Sequence, residues 1–213
     1  EFVTYKNGVV CAKMNHMSYI DGTGTVVWEI DTAIVDPILK VDGNYILIAE
    51  KGRNKICLYI DNKLQYDVDD PDTVMSAELS SNGDVVVVTD KSSYRGGISV
   101  YNKSGEQIFS WASGSDAVIC ADISAASRSV AVALLNSDVT AKTTVQLFNV
   151  NETESYAKIE MPDTVVYELQ FVGDKVNAFG DNRVTGISSS GKIVYDNDFS
   201  NVQLTHSAID SNG

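Results

Sequence analysis

The chain has 213 residues, 44% of them hydrophobic, enough apolar material to bury the core of one or two ordinary domains. Its 29 acidic against 16 basic residues leave a net charge of −13, a field that repels a phosphate backbone and argues against nucleic acid as a partner. No apolar run approaches the roughly 18 to 20 residues of a membrane-spanning helix, so no membrane insertion by the visible chain is expected, and a leader or anchor would precede Glu1.

From the first residue, "EFVTYKNG" reads as a short strand closed by a Lys-Asn-Gly turn, "GVVCAK" from Gly8 as a second strand, and "SYIDGTGTVVWEID" (18 to 31) as a hairpin. The same parts return in order. "GNYILIAE" from Gly43 leads into "LYIDNKLQYDVD" (58 to 69), and "GDVVVVTD" from Gly83 leads into "SVYNKSGEQIFSWA" (99 to 112). "SVAVALL" from Ser129 leads into "QLFNVNETESYAKIE" (146 to 160), and "KVNAF" from Lys175 leads into "TGISSSGKIVYDND" (185 to 198). In each hairpin an apolar residue (Ile20, Ile60, Tyr101, Phe148, Ile187) is followed by Asp, Asn or Ser, small polar residues that start a turn. Turns reading "KNG", "VDG", "SNG", "ASR" and "VGD" precede the central strands, and Asn-Gly or Asp-Gly supplies the positive φ of a tight hairpin. One further short strand, such as "SAELS" or "CADIS", precedes each turn.

Four strands in every period of about forty residues describe one blade of a β-propeller. The predicted fold is all-β, with four-stranded antiparallel blades over 1–34, 35–73, 74–116, 117–164 and 165–201. A pair of β-sandwiches would also space its strands closely, but would not demand that repeat. Residues 202–213, ending "HSAIDSNG", restate the opening strand and turn and read as the first strand of a sixth blade. The chain is therefore expected to be part of a larger ring of about seven or eight blades, with an open edge on its last blade that favours self-association. Cys11, Cys57 and Cys120 each lie in an apolar run and read as buried strand thiols, without the spacing of a disulfide framework or a zinc site.

"GVVCAKMNHMSYIDGTGTVVWEID" resembles the repeat of pyrroloquinoline-quinone-type propellers, in which a strand pair, an Asp-x-x-Gly turn and a Trp recur in each blade. "ELSSNGDVVVVTD" resembles the strand of WD40-like and lactonase-type repeats, and the blades together are similar to an uncharacterised bacterial family of propellers tethered outside the membrane by an N-terminal helix. The resemblance implies an extracytoplasmic, cell-surface protein held by a segment upstream of Glu1. It also places Trp28 and Trp111 at the blade Trp position, with Tyr66, Tyr156 and Tyr195 near it in other repeats.

In an up-and-down blade, the loop between its second and third strands shares an end with the link to the next blade. The links "DTAIVDP", "DVDDPDT", "ASGSDA", "EMPDT" and "DNDFSN" carry Asp31, Asp36, Asp67, Asp69, Asp70, Asp72, Asp116, Asp163, Asp196 and Asp198, so that end is expected to be an acidic rim. The loops "EKGRN", "DKSSYRGG" and "LNSDVTAKT" add Lys51, Arg53, Lys91, Arg95 and Lys142 beside those acids. Candidate partner-binding residues are Asp36, Asp70, Asp72, Arg53, Tyr94, Arg95, Asp116 and Asp163; Tyr94 and Arg95 form the pair of types most favoured at hot spots. Asp is also common in turns for local reasons, because its side chain bonds nearby backbone amides. "DVDDPD" lacks the glycine and terminal Glu of a calcium loop, so no cofactor is expected and calcium is a minor alternative.

No Gly-x-Ser-x-Gly elbow, phosphate loop or dinucleotide fingerprint is present, and the two histidines fall in a turn (His16) and the terminal strand (His206). Asn102 and Asn151 head glycosylation sequons, which matter only in a host that glycosylates secreted protein. The leading expectation is a non-enzymatic scaffold whose acidic, loop-rich rim meets a protein or cell-wall component. The alternative is a metal-dependent propeller enzyme or quinone binder using one acid per blade around a central channel. A purely structural segment serving partner domains is a third reading.

Overall fold

The structure, a computed structural model, describes residues 1–138, 140–200, 202 and 204. Every named element among them is a strand. The first sheet holds β1 (Phe2–Tyr5), β2 (Gly8–Lys13), β3 (His16–Ile20) and β4 (Val26–Asp31). The second holds β5 (Pro37–Asp42), β6 (Tyr45–Glu50), β7 (Lys55–Ile60) and β8 (Lys63–Asp69). The third holds β9 (Thr73–Leu79), β10 (Val85–Asp90), β11 (Gly97–Tyr101) and β12 (Gln107–Ala112). The fourth holds β13 (Ala117–Ile123), β14 (Ser129–Asn136), β15 (Lys142–Asn149) and β16 (Ala157–Pro162). The fifth holds β17 (Val166–Val172), β18 (Lys175–Gly180), β19 (Arg183–Ile187) and β20 (Ile193–Asp198).

Each sheet runs in sequence order with its neighbours antiparallel, as in a propeller blade. The chain divides into two compact units, Glu1–Ser92 with Ile98–Ser110, and Ser93–Gly97 with the residues from Trp111 on.

The apolar runs of the middle strands follow from two-sided burial. Successive side chains of a strand point to opposite faces. Ile46 and Ile48 of β6 therefore join Val10, Met17 and Tyr19 in one core cluster. Their neighbours Leu47 and Ala49 join Val74, Val85 and Val87 in another. β7 divides the same way, with Cys57 and Tyr59 on one side and Ile56 and Leu58 on the other. In the second unit Ala131, Ala133, Val145 and Leu147 pack with Val166, Leu169, Val176 and Ala178. Burying each large aliphatic side chain contributes about 1.5 to 3 kcal/mol, which is why the sequence spends Val, Ile and Leu on consecutive positions there.

The outer strands carry the exceptions. The hairpin bonds Asp21 N–H to Thr25 C=O, Asn102 N–H to Glu106 C=O and Ser188 N–H to Lys192 C=O close loops of one type. Stepping equally far from each start reaches Trp28, Phe109 and Tyr195. Trp111 is thus not the counterpart of Trp28, as the repeat pattern implied; it lies two positions further along β12. Tyr195 covers Gly186, where an added Cβ would come within 2.2 Å of its ring, and its hydroxyl donates to Asn177 Oδ1 at 2.7 Å.

His16 starts β3 instead of lying in a turn, 3.5 Å from Glu29 and 3.6 Å from Asp31 on β4. Cys57 is buried, but Cys11 and Cys120 are only half-buried; all three are free thiols. The expected first strand of a sixth blade, like His206, lies outside the described residues apart from Val202 and Leu204.

Candidate functional site

Several acids counted with the links belong to strands, because the hairpins end where the repeat placed them, at Asp31, Asp69 and Asp198. Asp31, Asp67, Asp69, Asp196 and Asp198 are strand residues, and Lys142 opens β15. Asp67 accepts from Lys55 across the ladder at 2.6 Å, Thr185 Oγ1 donates to Asp196 at 2.7 Å, and Lys142 pairs with Glu160 at 3.2 Å. Asp67, Asp196 and Lys142 thus have cross-strand partners, while Asp31, Asp69 and Asp198 remain exposed.

What remains of the rim is locked to the loops between second and third strands by backbone bonds. In the first unit Lys51 N–H donates to Asp36 C=O at 2.9 Å, Gly52 N–H to Val74 C=O at 2.8 Å, and Asp70 N–H to Asn54 C=O at 2.7 Å. In the second, Arg95 N–H donates to Ser113 C=O at 2.8 Å, and Ser113 N–H to Gly96 C=O at 3.0 Å. The side chain that ends or follows a second strand often adds a bond to the link. Glu50 Oε1 accepts Val35 N–H at 3.1 Å, Asn136 Nδ2 donates to Asp116 at 2.8 Å, and Asp181 Oδ1 accepts Val165 N–H at 2.9 Å. These three residues were missed in the sequence because each is the polar end of an apolar run and resembles an ordinary strand terminus.

In the first unit, Arg53, Asp72, Thr73 and Asp90 line an open cleft of about 410 Å³. Two of its charges have partners, while the Asp90 carboxylate has none among the described residues. Asp72 accepts from Lys91 Nζ at 2.8 Å, and Arg53 Nε lies 3.5 Å from the buried Glu50 carboxylate. Asp36 is exposed. Asp70 departs from the expected rim position: it is 1% exposed, accepting the Tyr101 hydroxyl at 2.7 Å on one oxygen and the Asp72 N–H at 2.8 Å on the other. It braces the link from beneath and does not meet solvent. Burial, and then the bond to Asp70, push the Tyr101 hydroxyl well above the usual tyrosine range, so it stays a donor.

In the second unit Tyr94 and Arg95 are exposed side by side on the loop before β11. Asp163 is exposed and takes a left-handed backbone, φ 53°, while its carbonyl accepts Asn182 Nδ2 at 2.6 Å. Asp116 borders a separate groove of about 440 Å³ that runs from the link at Ser113–Asp116 to the β15–β16 hairpin at Thr153–Ser155. Trp111 forms one wall, its indole tilted 49° onto Phe148 with centroids 5.0 Å apart. Gln146, Glu154 and Lys158 also line this groove, and none of their side chains pairs with a described residue. The eight candidate residues thus fall in two sets, Asp36, Arg53, Asp70 and Asp72 in one unit and Tyr94, Arg95, Asp116 and Asp163 in the other.

Among the described residues no three His, Cys, Asp or Glu side chains come together as a metal-holding group, and no helix is long and apolar enough to cross a membrane. Burial, reinforced by Asp67, pushes the Cys57 thiol up to about 12, so it is a poor nucleophile at neutral pH.

The chain belongs to a family of unknown function, DUF5711, whose model matches residues 1–209. No curated protein matches it. Among solved structures it is similar to BamB from Moraxella catarrhalis, at 12% identity and a TM-score of 0.64 over 93% of this chain, and spans 63% of the BamB chain. Kluyveromyces lactis Hsv2p is similar at 12% identity and a TM-score of 0.65, over 93% of this chain and 73% of that one. The computationally designed Ika8 protein is similar at 16% identity and a TM-score of 0.69, over 99% of this chain and 65% of that one. At these identities the likenesses establish the fold, a β-propeller built of four-stranded antiparallel blades.

Proposed function

We propose that this propeller is a non-enzymatic scaffold on the outside of a bacterial cell, presenting the link end of its blades to a protein or cell-wall partner. The observation that carries the reading is the combination of locked backbone and free side chains at that end. Within each unit the links and second-to-third strand loops are tied by backbone hydrogen bonds, with Asp36 exposed on them in the first unit and Tyr94, Arg95 and Asp163 in the second. A surface fixed before binding loses little ordering entropy when a partner docks. The net charge of −13 would speed encounter with a basic partner. The likeness of the repeats to quinone-type and surface-tethered propellers supports an extracytoplasmic address and an anchor upstream of Glu1.

Site-specific photocrosslinking on intact cells tests this. A crosslinker at Tyr94 or Asp36 is expected to capture a partner, and one at Asn62 or Ser190, in the hairpin turns at the other end, is not. Equal capture from both ends, or capture from neither, would refute the reading.

A further inference from the structure

We propose that the groove beside Trp111 is a binding site for a neutral saccharide. The inference deepens the binding reading above by naming a ligand class, and rests on that reading only for where such a ligand is met. The groove offers about 440 Å³, the scale of a small-ligand pocket. A pyranose is amphipathic, with a C–H face that stacks on an aromatic ring and a rim of hydroxyls that both donate and accept. The groove has matching parts. The half-buried indole of Trp111 is held in place by Phe148 at 5.0 Å. Around it stand an amide (Gln146), a carboxylate (Glu154) and an ammonium group (Lys158), together able to donate and accept.

The free state of those three polar groups separates this groove from an ordinary surface crease. The side chains of Gln146, Glu154 and Lys158 have no hydrogen bond or ion pair with any described residue, whereas Arg53 and Asp72 over the first unit's cleft are paired and only Asp90 there is not. Asp116 and Glu154 outweigh Lys158 in formal charge, which disfavours a phosphate or other anion. A peptide adding as a strand would need the outer edge of β12 or β16, the edge strands that carry Trp111 and Lys158, and the groove's floor offers no such edge. The floor residues Leu134, Gln146 and Phe148 lie on β14 and β15, which are paired on both sides within their sheet.

The test is titration of Trp28→Phe protein, in which Trp111 is the remaining indole, with the β-1,4-linked trimers of N-acetylglucosamine and of glucose. Trp111 emission is expected to change saturably with at least one trimer, half-saturating at or below about 1 mM. Calorimetry on the unmodified chain should give the same affinity without relying on the substitution. Glu154→Gln and Lys158→Met, both at exposed positions, are expected to weaken binding about tenfold each while leaving the circular dichroism spectrum unchanged. No saturation with either trimer, unchanged binding in both variants, or tighter binding of an extended acidic or basic peptide would overturn the inference. Saccharide binding without rim crosslinks would sink the rim reading and leave the groove; rim crosslinks without saccharide binding would do the reverse.

Discussion

The two clefts are similar in size and opposite in chemistry. In the first unit most polar groups near the opening are used by the fold: Asp72 by Lys91, Arg53 by Glu50, and Asp70 beneath them by Tyr101 and the Asp72 amide, with Asp90 the exception. In the second unit Gln146, Glu154 and Lys158 line the groove with side chains that no described residue bonds. A polar group already satisfied contributes to stability and offers little to a ligand. One left free contributes almost nothing to the fold and keeps its bonding capacity for something else.

The sharpest way to break this comparison is at Asp70. Asp70→Ala leaves the buried Tyr101 hydroxyl and the Asp72 amide unpaired, and should lower stability in urea unfolding by about 3 kcal/mol. A change below about 0.5 kcal/mol would mean the buried carboxylate is not a structural brace.

Two tyrosines in the first unit sharpen the point. Tyr101→Phe removes a bond to a carboxylate and should cost about 1.5 kcal/mol. Tyr66→Phe removes a buried hydroxyl that has no partner among the described residues, while its ring keeps packing over Gly105, so its unfolding midpoint should stay unchanged or rise. Equal losses in both variants would show that ring packing, not hydroxyl satisfaction, decides.

A smaller effect belongs to the hairpin end, where Lys6 Nζ and the Tyr5 hydroxyl both donate to Asp61 Oδ1 at 2.6 Å. The Lys6 ammonium first, and the Tyr5 bond second, hold the Asp61 carboxyl below its usual range. An acid with a depressed native pKa stabilises the fold above its unfolded value of about 3.9 and loses that contribution as pH falls through the native value. Asp61→Asn should therefore flatten the stability-versus-pH curve below about pH 4, modestly because the pair is solvent-exposed. An unchanged acid limb would remove Asp61 from the account.

The smallest stability effect is expected where the binding effect is largest. Glu154→Gln and Lys158→Met should leave urea unfolding within about 0.5 kcal/mol of the parent, since neither side chain has a partner to lose among the described residues. A larger loss would place both groups in the fold instead of a site.

The repeat was readable without a structure because its causes are local. A middle strand buried on both faces needs unbroken Val, Ile and Leu, and the hairpins at Asp21, Asn102 and Ser188 need a small polar residue followed by glycine. The position of Trp111 was not readable, because equivalence between blades is counted from each hairpin bond and not from residue type. Nor did composition separate Asp70 from Asp72. Both read as turn acids, and only the approach of Tyr101 from another strand of the third blade takes one of them out of water.

By itself, then, the sequence determined the blade: strand order, turn chemistry and the two-faced apolar core all follow from neighbours close along the chain. The tertiary structure alone decided which polar groups are spent and which are free. That choice depends on distances between side chains on different strands and blades, such as Trp111 against Phe148 and Asp70 against Tyr101, which no period along the sequence encodes.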